Sequence, residues 1–355
     1  TGELKTIQAR VVVNATGPWT DRTLGLRGDR SRMLRPTKGV HLVVSRERLP
    51  VDHAVCLVSQ DDHRVIFAIP TANRVVIGTT DTDFDGDFDE VHCDSGDVDY
   101  LLELTNHYFP DSGLQRADIL GTWAGLRPLV DSANEGLGAS QVSREHVIRR
   151  DDDGLITVAG GKLTTYRRMA AEVMGVVAGR LKQEGVHVGG CPTASVRLPG
   201  GSGIKYKGSE LITLGPDGLE AELALNEQLG EDVAEHLQES YGGSWLPVAE
   251  GAAGSEDLAR RIVPGLPYIW AEVDYAVQNE LTVTLRDFMR RRTQLEIRDC
   301  LGAWSAAPEI AERMGVLLGW SAEAAQAQVR AWRSDAHASM AWRDEDSAED
   351  AGEPH

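Results

Sequence analysis

Residues 154–181 constrain this chain more than any other stretch. Leu155 to Ala159 is a short apolar run that reads as a buried strand. Gly160 and Gly161 follow. Then Tyr166, Met169, Ala170, Val173, Val177 and Leu181 recur at helical spacings of three and four. A strand is therefore expected to pass straight into a helix through Gly-Gly. The first amides of such a helix have no intrahelical acceptor, and they point at whatever sits above the strand end. Glycine lacks a Cβ, so a flat ligand can approach its backbone closely. Lys162 adds a cation, and Thr164 and Thr165 add hydroxyls. A tight turn with a surface lysine fits the spacing equally well, because Gly-Gly is a weak signal by itself.

The rest of the chain divides into a strand-rich part and a helix-rich part. Residues 8–13 end an apolar strand, which stops at Asn14-Ala15-Thr16-Gly17. Ligands of open α/β sheets gather at such carboxyl edges. Residues 21–26 suggest a short helix. Residues 40–44, 54–59, 65–69 and 75–79 are β-branched runs with turn residues between them. No helix fits between these runs, so their sheet is expected to be antiparallel or mixed. A helix is expected over 97–109, a strand over 119–126, and a hairpin from 144–150 and 155–159 around Asp151-Asp152-Asp153-Gly154. Residues 189–208 carry several glycines and no periodicity, as a linker would. Helical patterns follow at 219–229, 231–241, 269–279, 284–292, 307–318 and 322–340, with Ser321 and Thr282 as expected caps. Strands followed by helices point to two domains.

Asp and Glu outnumber Lys and Arg by 55 to 36, which argues against a nucleic-acid partner. A small anionic ligand stays open, because it responds to local arginines and helix ends. Cys56, Cys93, Cys191 and Cys300 are widely spaced, and a reduced cytoplasmic compartment is expected. Neither zinc spacing nor a P-loop occurs, and Asp81-Thr82-Asp83 resembles a calcium loop only in composition, so no metal is assigned. His41, His53, His63 and His146 lie in or beside strands and are read as core or surface. Arg290-Arg291-Arg292 is read as a salt-bridged helix face.

Arg127 ends an apolar strand in Gly125-Leu126-Arg127-Pro128, where the proline holds the arginine backbone extended. A guanidinium fixed this way suits bidentate capture of phosphate or carboxylate. A structural ion pair at a sheet edge explains it equally well. Lys38, before Gly39, reads as a turn lysine first and a site lysine second.

Taken together, NATGPW at 14–19, RPTKGVHLVV at 35–44, VVIGTTDTDFDGD at 75–87, GLRPL at 125–129 and GGKLTTYRRMAAEV at 160–173 closely resemble the FAD-dependent glycerol-3-phosphate dehydrogenases. That group is aerobic and quinone-linked, within the D-amino-acid-oxidase-like flavoproteins. Residues 268–297, YIWAEVDYAVQNELTVTLRDFMRRRTQLEI, resemble its C-terminal helical domain, and the likeness covers about residues 8–320. The implied fold is α+β or α/β. A partial FAD-binding domain fills 1–190, with an antiparallel or mixed substrate-side sheet at about 30–130. A linker at 191–208 leads to an all-α domain at 209–343 and a disordered acidic tail at 344–355. The family's opening strand, G-x-G-x-x-G turn and helix are not in this sequence. The expectation is therefore an N-terminally truncated chain that does not hold FAD tightly.

The resemblance implies oxidation of glycerol 3-phosphate to dihydroxyacetone phosphate, with electrons passed through FAD to a quinone. It implies that Ala15, Thr16 and Gly17 lie along the cofactor, and that Gly160, Gly161, Lys162, Leu163 and Thr164 line its isoalloxazine and ribityl side. It makes Arg127 the phosphate ligand, gives Lys162 contact with reduced flavin or substrate, and puts Lys38 on the substrate side. No general base is assigned. A homodimer and peripheral contact with the inner face of the cell membrane are compatible with it. An oxidase passing electrons to oxygen, a flavin amine oxidase and a non-catalytic assembly remnant stay open as alternatives.

Overall fold

The computed structural model describes residues 4–131, 145–201, 204–207, 210–213, 227 and 229–344. The chain forms two compact units that alternate along the sequence. One comprises Thr1–Val40, Thr79–Val91 and Ala124–Val196; the other comprises His41–Gly78, His92–Trp123 and Arg197–His355. The strands in chain order are β1 (Val13–Asn14), β2 (Leu34–Ser45), β3 (Val55–Val58), β4 (Val65–Thr71), β5 (Arg74–Gly78), β6 (Thr82–Asp83), β7 (Ile119–Val130), β8 (His146–Arg150), β9 (Ile156–Gly160), β10 (Ile204–Lys207) and β11 (Glu210–Thr213).

In the first unit, β1 runs parallel to β9, and β9 runs antiparallel to β8. Helix α1 (Thr20–Gly25) follows β1, where a short helix was expected. Helix α3 (Tyr166–Gln183), numbered after α2 (Ser95–Tyr108) of the other unit, buries Val173 and Val177 against Ile156. These are the positions at which the helical period predicts an inner face. The opening part of β2 pairs with β6, setting Thr37 against Asp83 and Lys38 against Thr82. The charged loop at 151–154 is clamped from outside. Arg27 reaches Asp151 at 2.6 Å, and Arg149 reaches Asp29 at 2.6 Å and Asp151 at 2.9 Å.

In the second unit, β3, β4, β5 and the later part of β2 form an antiparallel meander, as the absence of intervening helices requires. Ala72 and Asn73 make the β4–β5 turn, with Ala72 in the left-handed region at φ +51°. Leu57, Ile66, Ala68, Val75 and Ile77 are fully buried, and α2 lies over this face with Val98 and Leu101 fully buried. A capping box between Asp94 and Asp97 starts α2.

Helices α4 (Glu231–Tyr241), α6 (Ala271–Asn279), α7 (Cys300–Leu318) and α8 (Ala322–Ser339) follow in this unit where helices were expected, and α5 (Trp245–Ala253) is one the spacing did not show. Their core gathers Trp270, Leu285, Phe288, Met289, Leu295, Ile310 and Trp332. Helix α7 begins seven residues before the expected 307 and runs through Pro308. Proline cannot donate to the carbonyl four residues back. Arg333 Nη2 donates to that carbonyl, Trp304 O, at 3.1 Å, and its guanidinium lies over the Trp304 ring. Ser321 caps α8 as expected, through Ala324 N at 3.1 Å. Thr282 does not cap. Thr284 does, through Asp287 N at 3.1 Å, ahead of a π-helical turn over Asp287–Arg292. The three arginines there serve carboxylates: Arg290 with Glu296, Arg291 with Asp287, and Arg292 with Glu280.

Strand β10 forms within the stretch read as a linker, pairing Ile204–Lys207 with Glu210–Thr213. Most of the helix expected at 219–229, and the tail from 345, lie outside the described residues. None of the four cysteines is in a disulfide. Among the described residues no helix is long and apolar enough to cross a membrane.

Candidate functional site

Two segments singled out from the sequence leave the same edge of one sheet. Parallel pairing of Val13 with Ile156 and Asn14 with Thr157 puts the carboxyl ends of β1 and β9 together. Ala15, Thr16 and Gly17 follow β1, while Gly160 closes β9 and Gly161, Lys162 and Leu163 follow it. The turn after β1 is knit by short polar bonds. Thr16 Oγ1 donates to Asn14 Oδ1 at 2.7 Å, buried Asn14 Nδ2 donates to Thr20 O at 3.3 Å, and Thr20 Oγ1 donates to Gly17 O at 2.8 Å. Ala15 and Thr16 are exposed and Gly17 is half-buried, with φ +59°.

Gly160 and Gly161 both lie in the left-handed region, at φ +74° and +92°. A Cβ on Gly160 would stand 2.6 Å from Glu145 O and from Val130 Cγ2, and one on Gly161 would collide with the Met169 thioether. Only glycine serves at either position. The helix does not start directly after the glycines, contrary to the expectation from spacing. Lys162 is extended, and a 3-10 turn over Leu163–Thr165 comes first. Consecutive left-handed residues redirect the chain, and the turn closes through Thr165 N to Lys162 O at 3.0 Å. No side chain caps this turn or the start of α3. Lys162, Leu163 and Thr164 are exposed, Leu163 at 87%.

Arg127 is half-buried on β7. Its Nη1 donates to Asp81 Oδ1 at 3.0 Å, and its Nη2 donates to Thr79 Oγ1 and Thr80 O at 3.1 Å each. Asp81 is 5% exposed. Gly39 of β2 lies directly beneath the guanidinium: a Cβ there would stand 2.6 Å from Arg127 Cζ. Lys38, next to it, is 7% exposed. The structure thus gathers Arg127, Asp81 and the Lys38-Gly39 pair in the first unit. The same β7 ends at Val130, which packs with Leu34 and Ala159. Arg127 therefore lies roughly 10 Å along an extended strand from the residue that touches Gly160.

Other residues at the site carried little sequence signal. Thr79 reads in sequence as the end of a strand and Asp81 as part of a loop of calcium-like composition, and neither reading ties them to Arg127, which they fix. Asp83, in the loop of calcium-like composition, is held bidentately by Arg35 at 2.7 Å. His146, read as core or surface, places Nε2 2.8 Å from Glu172 Oε2. Arg168, then His146, hold the Glu172 carboxyl below its ordinary range. In the second unit His41 stacks on Trp123, with ring centroids 4.4 Å apart and planes 8° from parallel. A cleft of about 300 Å³ in the helical part is lined by Asp257, Arg260, Trp270, Glu309 and Arg313, and Arg313 is held by Asp274. None of the residues singled out from the sequence lines it.

The arrangement offers a flat ligand two glycine-bearing turns, uncapped amides and a lysine at one sheet edge. A guanidinium with fixed orientation lies upstream on β7, whose Val130 packs against Ala159 of β9.

Residues 1–167 match the FAD dependent oxidoreductase family, and residues 191–325 match the C-terminal domain of alpha-glycerophosphate oxidase. The aerobic glycerol-3-phosphate dehydrogenase of Staphylococcus saprophyticus is 35% identical over 324 residues, which is 89% of this chain and 55% of that protein. The Bacillus subtilis protein of the same name is 36% identical over 292 residues, 81% of this chain and 51% of its own length. The chain spans about half the length of the curated relatives it matches. A solved glycerol-3-phosphate dehydrogenase from Bacillus halodurans, complexed with FAD, superposes with a TM-score of 0.74 at 29% identity, covering 95% of this chain and 64% of that one.

Proposed function

The chain belongs to the FAD-dependent oxidoreductase family, and from that premise we propose that its protein oxidises sn-glycerol 3-phosphate at the central carbon to dihydroxyacetone phosphate, with FAD as cofactor and a quinone as electron acceptor. The observation that carries this reading is the shared carboxyl edge of β1 and β9, where two turns built on Gly17 and on Gly160–Gly161 leave side by side. The left-handed, Cβ-free turn at Gly160 and Gly161 and the knit turn at Asn14 suit the ring and ribityl portion of a flavin.

FAD, when bound, supplies the acceptor for hydride from the substrate carbon. Ala15, Thr16 and Gly17 hold it from the β1 side. Gly160, Gly161, Lys162, Leu163 and Thr164 hold it from the β9 side. Lys162 and the uncapped amides stabilise negative charge developing at that edge. Arg127 takes the substrate phosphate. Asp81, Thr79 and Thr80 hold its guanidinium in one orientation, so little freedom is lost on binding. Lys38, buried one position before Gly39 on β2, is a weaker substrate-side candidate. A quinone acceptor brings the working protein to the membrane surface as a peripheral enzyme, active in glycerol 3-phosphate catabolism.

The test uses protein expressed from the complete reading frame and supplied with FAD. Dye reduction that depends on glycerol 3-phosphate, and that a quinone analogue sustains without matching peroxide, is the expected result. Peroxide formed in proportion to substrate would replace the quinone with oxygen. No flavin uptake would reject the enzyme reading altogether.

A further inference from the structure

The Gly160–Gly161 turn is held from several sides, and one residue takes part in two of the contacts. His146 faces Gly160 across the β8–β9 ladder, and its Cβ lies 3.2 Å from the point a Cβ on Gly161 would occupy. From there its imidazole crosses to α3, where Nε2 lies 2.8 Å from Glu172 Oε2. Glu172 Oε1 accepts from Arg168 Nε at 2.5 Å. Met169, three residues before Glu172 and on the same helix face, lies under Gly161. The far end of α3 has its own tie, Arg180 Nη1 donating to Gly154 O at 2.7 Å.

We propose that His146 and Glu172 form a clamp that sets the direction of the Gly160–Leu163 backbone, making both positioning residues for the site above. The inference rests on reading that turn as cofactor-facing. Its physical ground is the turn's own lack of restraint. Two left-handed glycines have shallow backbone preferences, and no side chain caps the 3-10 turn at Leu163–Thr165. The direction of the exposed amides is therefore set from outside, by the angle between β9 and the first turns of α3. The Arg180 tie fixes the helix at the amino end of β9. The His146–Glu172 tie fixes it at the end where the amides emerge. The carboxylate makes this a charge-assisted bond, and Arg168 restricts the carboxylate further. Neither His146 nor Glu172 is given a bond-making role.

The experiment compares His146→Ala, Glu172→Ala and His146→Gln with the wild-type protein. The first readout is hydrogen exchange, without added FAD, of the two bonded amides of the turn, Thr165 to Lys162 O and Tyr166 to Leu163 O. The second is kcat and KM in the loaded enzyme. Both alanine variants are expected to exchange these amides about 10-fold faster, as loss of a charged hydrogen bond predicts. They are also expected to lose about 10-fold in kcat with KM for glycerol 3-phosphate unchanged. His146→Gln restores both, because its amide nitrogen reaches the same carboxylate. Glu172→Gln carries the same comparison if an alanine variant fails to fold. Unchanged exchange in the alanine variants, or a glutamine variant no better than alanine, overturns the clamp. Exchange as expected in a protein that takes up no FAD upholds the clamp and rejects the functional reading instead.

Discussion

Gly39 lies so close beneath Arg127 that a Cβ on it would stand 2.6 Å from the guanidinium carbon. The atoms in the way are the far end of a long side chain, so the backbone need not move if a methyl is added. Gly39→Ala is therefore expected to displace Arg127 rather than unfold the protein. The apparent KM for glycerol 3-phosphate should rise by about 10-fold. Thermal unfolding should shift by no more than about 4 °C. Steady-state kinetics beside a melting curve checks both.

Removing the guanidinium should raise the apparent KM further. Arg127→Ala is expected to cost at least about 10-fold, the usual loss for a charged hydrogen bond. Arg127→Lys keeps the charge but cannot serve Asp81, Thr79 and Thr80 from one fork. It should recover only part of the loss. Kinetics identical to wild type in both variants would remove Arg127 from the site.

Acid should loosen the clamp on the 151–154 loop. The Ser31 amide, then the Ser31 hydroxyl and Arg149, hold the Asp29 carboxyl well below the ordinary range. The Leu155 amide and Arg27 lower Asp153. A carboxylate whose folded pKa is depressed stabilises the fold above its unfolded value, about 3.9. That contribution is lost as pH falls through the folded value. Melting temperature should therefore drop more steeply below about pH 4 in the wild type than in Asp29→Asn. The difference should shrink in 1 M salt, because the network is partly open to solvent.

Glu272 is 1% exposed and accepts three bonds: His236 Nε2 at 2.8 Å, Tyr241 OH at 3.0 Å and Ile269 N at 2.7 Å. Burial and this carboxylate push the Tyr241 phenol up, so it stays a donor. Glu272→Ala strands the Ile269 amide and the phenol, at a cost of about 2–5 kcal/mol by urea unfolding. Glu272→Gln should be much milder. Its carbonyl can face Ile269 N, while the histidine and phenol accept from its amide.

Much of the architecture could be read from local pattern. The apolar run at 155–159 and the three-and-four spacing after Tyr166 identified β9 and α3. The alternating runs between 40 and 79 identified the meander. The features that escaped depend on partners distant in sequence. Nothing local in Val13-Asn14 announces a parallel pairing with Ile156 and Thr157, although that pairing brings the two glycine turns together. Arg127 read equally as an anion ligand or as half of an ion pair, and its partner Asp81 comes from a separate turn. The helical pattern reads only from 307, so the first seven residues of α7 are missed. The tertiary contact from Arg333 to Trp304 O keeps that helix whole. The 3-10 turn at Leu163–Thr165 escaped because hydrophobic periodicity reports a buried face, and these residues have none.

The second unit joins strands from early in the chain to helices from late in it. Arg74 Nη2 donates to Asp299 Oδ2 at 3.2 Å, and Asn73 Nδ2 donates to Gly265 O at 2.5 Å. On a ribosome the β4–β5 hairpin emerges long before either acceptor has been synthesised. Helix α2 can cover its inner face soon afterwards, but the ties to Gly265 and Asp299 must wait until the polypeptide is nearly finished. Such late closure slows folding and invites aggregation, so recombinant yield should respond to chaperone supply and lowered growth temperature.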